Sequence, residues 1–321
     1  MFSLIFSLMT SQIIKTEPDL GPAVRAICLF QALGTPEVLG HDSLIKARLA
    51  KSISNDRFIS FTEVEGLISR DTYTKIAGED GQLDDNEIRN QLDSLQPESR
   101  RRLTEGLSQH ADLLTTQFDM IDDAHRQGGK RLAQWIINHY KPGQPLHITV
   151  VCTGNSRRSM IGSSMGNLAA AYYGMPEIQF HSGGTAPTAF NKRTIQTLKS
   201  IGFSIEPTGA EAPRGDPQST NPVYLIGWGQ GLETREFSKH YADKANPQSG
   251  FAALMVCTEA DAECPLVKGA AIRISMPYLD PKMYDDSRIE AAKYAERRDD
   301  IGRLMLFIMA QVRQECLSNK K

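Results

Sequence analysis

Apolar positions along the chain change their period once, near residue 143. Before that point they recur every three to four residues, the spacing of one helix face. PAVRAICLFQALG and SLIKARLAKSI carry it, and so does the span from Pro97 to Tyr140, where Leu103, Leu107, Leu113, Phe118 and Ile121 alternate with charges. Gly128-Gly129 is expected to interrupt this span, with a second short helix through Trp135 and Ile137 after it. Lys141-Pro142-Gly143-Gln144-Pro145 then breaks helix on both sides and reads as a linker. Beyond it, short β-branched runs (LHITVVC, IQFHS, FAALMVC, AAIRISM) alternate with helical stretches from Ser159 to Tyr173, Asn191 to Ile201 and Ser287 to Cys316. This alternation predicts an α/β fold, a doubly wound parallel sheet with right-handed crossovers, preceded by a mostly α-helical domain. The expected division is 1–143 and 144–321. Glu206 to Gly250, rich in Pro and Gly with one strand-like piece VYLIGW, is expected to be an insertion near the sheet's carboxyl edge, where ligands bind in such folds.

Within the helical half, SISNDRFISFTEVEGLI and IAGEDGQLDDNEIRNQL share a shape. Each places an apolar residue in mid-loop (Ile59, Leu83) and a glutamate four positions later (Glu63, Glu87). The pattern resembles the second half of an EF-hand calcium loop, and Asp80-Gly81 fits its turn. Ser52 and Ile76, however, stand where the first carboxylate ligand is needed. A degenerate EF-hand-like helical pair without calcium is the expectation, its function and partner unassigned.

Composition narrows the function classes. A chain of 321 residues with a net charge of −2 has no electrostatic footprint for nucleic acid. Five cysteines, an odd number without dense spacing, exclude a secreted disulfide scaffold and point to a reducing, cytoplasmic setting. No apolar run reaches the roughly 18–20 residues that span a bilayer. The apolar start, MFSLIFSLMTSQ, lacks a basic residue before its core; it reads as a signal peptide, a helix docked on its own domain, or a start placed ahead of Met9.

The candidate chemistry lies in VVCTGNSRRSMIG, Val150 to Gly162. Cys152 ends a predicted strand, and Thr153, Gly154, Asn155, Ser156 and Arg157 lead to Arg158 and Ser159 at a helix start. Such a loop points backbone N–H groups into one concavity, with Gly and Asn tolerating the left-handed backbone this requires. Arg158 offers a planar fork to a tetrahedral oxyanion, and the same field favours a Cys152 thiolate to which the Ser159 hydroxyl donates. The bland alternative is a buried structural cysteine beside a surface arginine pair. Position on a strand–loop–helix turn, more than Cys-x5-Arg itself, favours the functional reading.

VCTGNSRRS resembles the phosphate-binding loop, after the first strand, of the low-molecular-weight protein tyrosine phosphatase superfamily, which includes the thioredoxin-coupled arsenate reductases. FHSGGTAPTAFNKRTIQTLKSIGFSI is similar to the family's next strand end and helix, so the likeness runs from about Leu146 onward. It implies Cys152 as nucleophile, Arg158 and the Thr153–Arg157 backbone as oxyanion clamp, and Asp280, before Pro281, as the acid that protonates a leaving oxygen. VCTEADAECP is similar to the reductase segment whose two cysteines carry oxidation away from the nucleophile. Cys257 and Cys264 would then form a thiol–disulfide relay, with thioredoxin or a similar thiol as electron donor and no bound cofactor or metal. Cys28 and Cys316 fall in helical contexts and are expected to be core or surface residues.

Three readings follow: arsenate reduction, slightly preferred; phosphomonoester hydrolysis; and a non-catalytic redox or phosphate sensor. The chain departs from the family in having Arg157 where a second loop cysteine is usual. It also has Ile161-Gly162-Ser163 where a carboxylate-bearing triplet is usual, which argues against potassium dependence.

Overall fold

The computed structural model describes residues 21–33, 45, 48–51, 53, 58–78, 80–215, 217–258, 260 and 266–318. The expectations for the apolar start and for Ser52 fall outside these residues. Helix α1 (Gly21–Ala32) opens the described chain, followed by strand β1 (Phe58–Ile59), helices α2 (Phe61–Val64) and α3 (Arg70–Ile76), strand β2 (Leu83–Asp84) and helix α4 (Asp85–Leu95). β1 and β2 pair antiparallel, and Ile59 faces Leu83 in the register. The two mid-loop apolar residues singled out by the repeat thus lie side by side at the centre of a small core with Ile27, Phe30, Leu49, Val64 and Ile88. Glu63 and Glu87 act as capping-box carboxylates: Glu63 accepts from the Ser60 amide at 2.7 Å and Glu87 from the Asp84 amide at 2.9 Å.

Helices α5 (Glu98–Arg101), α6 (Glu105–Thr115) and α7 (Asp123–His139) follow, with a 3₁₀ turn at Phe118–Met120. The predicted break at Gly128-Gly129 is absent, because α7 runs through both. A Cβ at Gly128 would lie 2.5 Å from the Met276 side chain, and one at Gly129 2.9 Å from Leu304. These glycines therefore serve close helix approach, a tertiary gain that outweighs their helix-propensity cost of about 1 kcal/mol each. The real break is capped upstream, where the Asp122 carboxylate accepts from the His125 amide at 3.0 Å.

The second half is α/β. Strand β3 (Leu146–Cys152) leads to helix α8 (Arg158–Tyr172), strand β4 (Ile178–Gly184) and helix α9 (Lys192–Lys199). A three-stranded antiparallel meander follows, made of β5 (Ser204–Glu211), β6 (Pro222–Gly229) and β7 (Leu232–Glu236). Only its middle strand was predicted from VYLIGW. Strands β8 (Phe251–Met255) and β9 (Ala270–Ser275) and the long helix α10 (Glu290–Ser318) complete the chain.

The four-stranded sheet has the order β4-β3-β8-β9, and every pairing is parallel. From β3 the chain first turns to one side, to β4, and later to the other, to β8. The carboxyl end of β3 is therefore a topological switch point, where such sheets leave a crevice. Helix α8 is buried along its whole length, in keeping with fourteen uncharged residues after Arg158. A Cβ at Gly162 would lie 2.7 Å from the Val150 side chain, so this glycine lets α8 settle on the sheet.

The larger hydrophobic core runs from Leu103 to Val312, and it includes Leu107, Leu114, Leu132 and Ile136 from α6 and α7. Phe118 meets Phe307 of α10 edge to face at 5.6 Å between ring centres. The buried apolar residues form two clusters, one ending at Leu92 and the other starting at Leu103, and residues on both sides of the Lys141–Pro145 segment belong to the larger one. Sequence periodicity cannot reveal that helices near residue 110 and residue 305 share a core. A fragment 144–321 is expected to lose cooperative thermal unfolding, whereas 97–321 keeps a single transition. Circular dichroism melts of the two check this, and a cooperative 144–321 fragment contradicts it.

Candidate active site

The β3–α8 loop is the most constrained turn in the α/β half. Cys152 pairs with Gly184 in the β3–β4 register. A Cβ at Gly184 would lie 2.5 Å from the Thr153 carbonyl oxygen and 2.8 Å from the Asn155 nitrogen, so only glycine lets the loop cross this strand end. The loop's carbonyls turn toward the segment after β4: Cys152 O accepts from Thr185 N at 3.1 Å, Thr153 O from Ala186 N at 2.9 Å, Gly154 O from Thr188 N at 3.0 Å and Ser156 O from Asn191 N at 3.2 Å. In trans peptides each following N–H points the opposite way, so successive amides turn to the loop's other side.

Asn155 has φ of +41°, the left-handed backbone expected of it. Its side chain, fully buried, does more. The Lys239 amide donates to Asn155 Oδ1 at 2.7 Å, which fixes the orientation of the carboxamide. Asn155 Nδ2 then donates to Ser159 Oγ at 2.9 Å and to Ser182 Oγ at 2.8 Å. Ser159 accepts from Asn155 and its Oγ lies within hydrogen-bond distance of Cys152 Sγ, at 3.1 Å. A connected polar chain therefore runs from the Lys239 backbone to the thiol sulfur. Ser238 buttresses the same loop, its hydroxyl donating to Gly154 O at 3.1 Å while it accepts from Thr188 N at 3.0 Å. Lys239, Ser238 and Ser182 were not among the predicted site residues. Ser182 stood in the motif quoted as FHSGGTAP, whereas nothing in the local sequence marks Ser238 or Lys239.

Cys152, Thr153, Gly154, Ser156, Arg157 and Arg158 line an open pocket of about 370 Å³ together with Thr188, Asp280 and Lys282. The Arg158 guanidinium donates to Tyr278 O and to Asp280 Oδ2, both at 2.8 Å. Asp280 also caps a 3₁₀ turn (Pro281–Tyr284), its other oxygen accepting from Lys282 N at 3.0 Å with Pro281 at the first position. The structure thus brings Cys152, Arg158 and Asp280 to one pocket, with Ser159 buried behind the Cys152 sulfur. A pocket of about 430 Å³ lies elsewhere, between β4 and the meander, but its lining contains no thiol.

Arg157 lines the same pocket, and its side chain has partners that the sequence reading did not name. Its guanidinium donates to Tyr294 Oη at 2.7 Å and to Asp285 Oδ2 at 3.0 Å, so its side chain joins the loop to the 280–294 segment. Cys257, fully buried just beyond β8, has its sulfur 3.5 Å from Thr153 Oγ1 and accepts from Ala260 N at 3.4 Å. Burial pushes its thiol above the ordinary range, with Arg158 opposing and Cys152 adding to the shift. Cys264 lies outside the described residues. Cys28 is buried between α1 and α6, where burial raises its thiol to about 11, and Cys316 is partly buried.

Among the described residues no group of three or more His, Cys, Asp or Glu side chains is arranged to hold a metal, and no helix is long and apolar enough to cross a membrane. No known protein-family model matches the chain, and no curated protein matches its sequence.

Proposed function

We propose that this chain is a cysteine-nucleophile enzyme acting on a tetrahedral oxyanion, and that hydrolysis of a phosphomonoester is the reaction its geometry supports best. The observation that carries the reading is the convergence on one pocket of the Cys152 sulfur, with the Ser159 hydroxyl behind it at 3.1 Å, and the Arg158–Asp280 pair at 2.8 Å. The resemblance of VCTGNSRRS to the phosphate-binding loop of the low-molecular-weight phosphatases supplies the roles.

A phosphate dianion entering the pocket takes the place of Asp280 as partner of Arg158, while the outward-turned amides of Thr153 to Arg157 hold its remaining oxygens. The Cys152 thiolate attacks phosphorus and forms the S–P bond. The P–O bond to the leaving group breaks, and Asp280, in the role of general acid, gives its proton to the departing oxygen. Water then attacks phosphorus, with the Asp280 carboxylate accepting its proton. The S–P bond breaks, and inorganic phosphate and the thiolate are returned.

Arsenate reduction is the second reading, favoured by the place of Cys257 against Thr153. Arsenate would add to Cys152 with loss of water. Cys257 would attack the Cys152 sulfur, forming a disulfide and leaving two electrons on arsenic, which departs as arsenite. Cys264 would next form a disulfide with Cys257 and free Cys152, and the dithiol of thioredoxin would reduce that disulfide. Burial of Cys257 and the raised range of its thiol count against it as the attacking thiolate in this conformation, which places hydrolysis first.

Steady-state assays of wild type and Cys257→Ser separate the two. Hydrolysis of 4-nitrophenyl phosphate is expected to change less than about threefold, since Cys257 makes no covalent bond in that reaction. Loss of that activity with the substitution, or thioredoxin-dependent arsenate turnover in a wild type inert toward the aryl phosphate, overturns hydrolysis as the primary reaction. A protein with neither activity but a reversible Cys257–Cys264 disulfide is the sensor.

A further inference from the structure

The segment carrying Asp280 is tied to the catalytic loop through Arg158, at Tyr278 O and at Asp280, and again through Arg157, and the Arg158–Asp280 contact is the one that has to break when an anion binds. The first tie is Arg158 to Asp280, the pair a bound oxyanion would displace. The second lies one residue earlier in the loop and about five residues later in the segment. Arg157 donates to Tyr294 Oη at 2.7 Å and to Asp285 Oδ2 at 3.0 Å, and Tyr294 Oη donates to Asp285 Oδ1 at 2.8 Å. The three groups form a closed triangle in which each polar contact fixes the other two.

Arg193 of α9 extends it. Its guanidinium pairs with Glu290 at 2.6 Å, with Asp286 at 2.6 Å and with Asp285 at 3.6 Å. Glu290 in turn accepts from the Asp286 amide at 2.6 Å, and Asp286 holds a left-handed φ of +63° that sets the bend of the segment. Two arginines and three carboxylates thus cross-link the catalytic loop, the acid-bearing segment, α9 and the first turns of α10. Arg157 and Asp285 are 15% and 18% exposed, so their pairing is shielded well beyond that of a surface ion pair. Tyr294 stays protonated as a donor, its hydroxyl pushed up to about 12 mainly by burial.

We infer that Arg157, locked by Tyr294 and Asp285, is a positioning residue that holds Asp280 at its working distance from the pocket after the oxyanion has taken Arg158 away. This rests on the hydrolytic reading and adds to it. Without the Arg157 tie, an Asp280 released from Arg158 would be held to the catalytic loop only through Tyr278 O, two residues before it. With it, the acid is freed electrostatically and stays in place sterically. The alternative is that Arg157 contacts the anion itself, as its position in the loop first suggests.

The two roles predict different kinetics. The test compares wild type, Arg157→Met, Arg157→Lys and Tyr294→Phe on 4-nitrophenyl phosphate, whose leaving group needs little protonation, and phenyl phosphate, whose leaving group needs much. If Arg157 positions the acid, Arg157→Met lowers kcat for phenyl phosphate by about 30–100-fold and for 4-nitrophenyl phosphate by less than about fivefold, as for a misplaced proton donor. Inhibition by inorganic phosphate is unchanged, and Tyr294→Phe moves kcat in the same direction to a smaller extent. Arg157→Lys, able to serve one partner at a time, falls between. Equal losses on both substrates, or a phosphate inhibition constant raised tenfold or more, would make Arg157 an anion ligand or a purely structural group and overturn the inference. Wild-type protein that binds phosphate yet cleaves neither ester removes the hydrolytic reading itself, and this inference with it. Tyr294→Phe, which deletes one hydroxyl, guards against a variant that merely fails to fold.

Discussion

Replacing Cys152 with serine is expected to reduce hydrolysis of an aryl phosphate by at least about 10³-fold while leaving the fold and the anion site intact, because the nucleophile is the one group the reaction cannot bypass. The sulfur is 3% exposed and touches the Ser159 hydroxyl, so oxygen at the same position removes little volume and keeps a hydrogen-bonding partner. What is lost is chemical. An alcohol is essentially never ionised at neutral pH, and its hydrogen-bonding neighbour, the Ser159 hydroxyl, is itself no general base. Phosphate binding measured by calorimetry should persist, since its ligands are Arg158 and the loop amides. In the wild type, iodoacetate should label Cys152 and phosphate should protect it. Residual hydrolysis near the wild-type rate in Cys152→Ser would remove the covalent mechanism altogether.

How much of this was legible beforehand differs from element to element, and the differences have physical causes. LHITVVC was readable as a buried parallel strand because it is a short run rich in β-branched residues, and six of its seven residues are buried. The start of α9 was readable to within a residue because Asn191 is a capping side chain, accepting from Arg193 N at 2.9 Å. Cys152, Arg158, Ser159 and Asp280 could be placed in one site because they belong to two short local patterns. Gly128-Gly129 was misread because helix propensity is local, whereas the packing of α7 on Met276 and Leu304 is not. The meander strands β5 and β7 escaped notice because they are largely exposed and carry Pro, Gly and charge. The side-chain partners of Arg157, Asp285 and Tyr294, were not legible because they lie 128 and 137 residues away. Charged residues on a helix start such as Glu290 ordinarily face solvent, and only the fold pairs them with Arg193.

The helical half follows the same logic. Its repeated apolar-then-glutamate pattern correctly identified two loops that pair through Ile59 and Leu83, because that pairing is a property of the repeat itself. The use of the glutamates did not follow from the repeat. A carboxylate at the third helical position satisfies backbone N–H groups whether or not a cation is present, so Glu63 and Glu87 have a structural role that the motif alone cannot distinguish from ligation.

The second large effect belongs to Arg158, and it separates anion binding from proton transfer. The residue is only 6% exposed, and its guanidinium serves Tyr278 O and Asp280 from two different nitrogens. Lysine keeps the charge but cannot span both acceptors, nor match two oxygens of a phosphate in one plane. Arg158→Lys is therefore expected to lower kcat/KM by about 10²–10³-fold, comparable to loss of an oxyanion donor, and to weaken phosphate inhibition in parallel. The loss should be nearly the same for 4-nitrophenyl and phenyl phosphate, because the missing contact is to the transferring group. Asp280→Asn should instead act on the leaving group, costing about 10²–10⁴-fold on phenyl phosphate and much less on 4-nitrophenyl phosphate. In the double variant the losses should fall short of additive, since each substitution also removes the partner of the other. An Arg158→Lys effect that tracks leaving-group basicity would mean that Arg158 acts on the acid and not on the anion, and that the anion is held elsewhere, whereas strict additivity would mean that the two residues act independently.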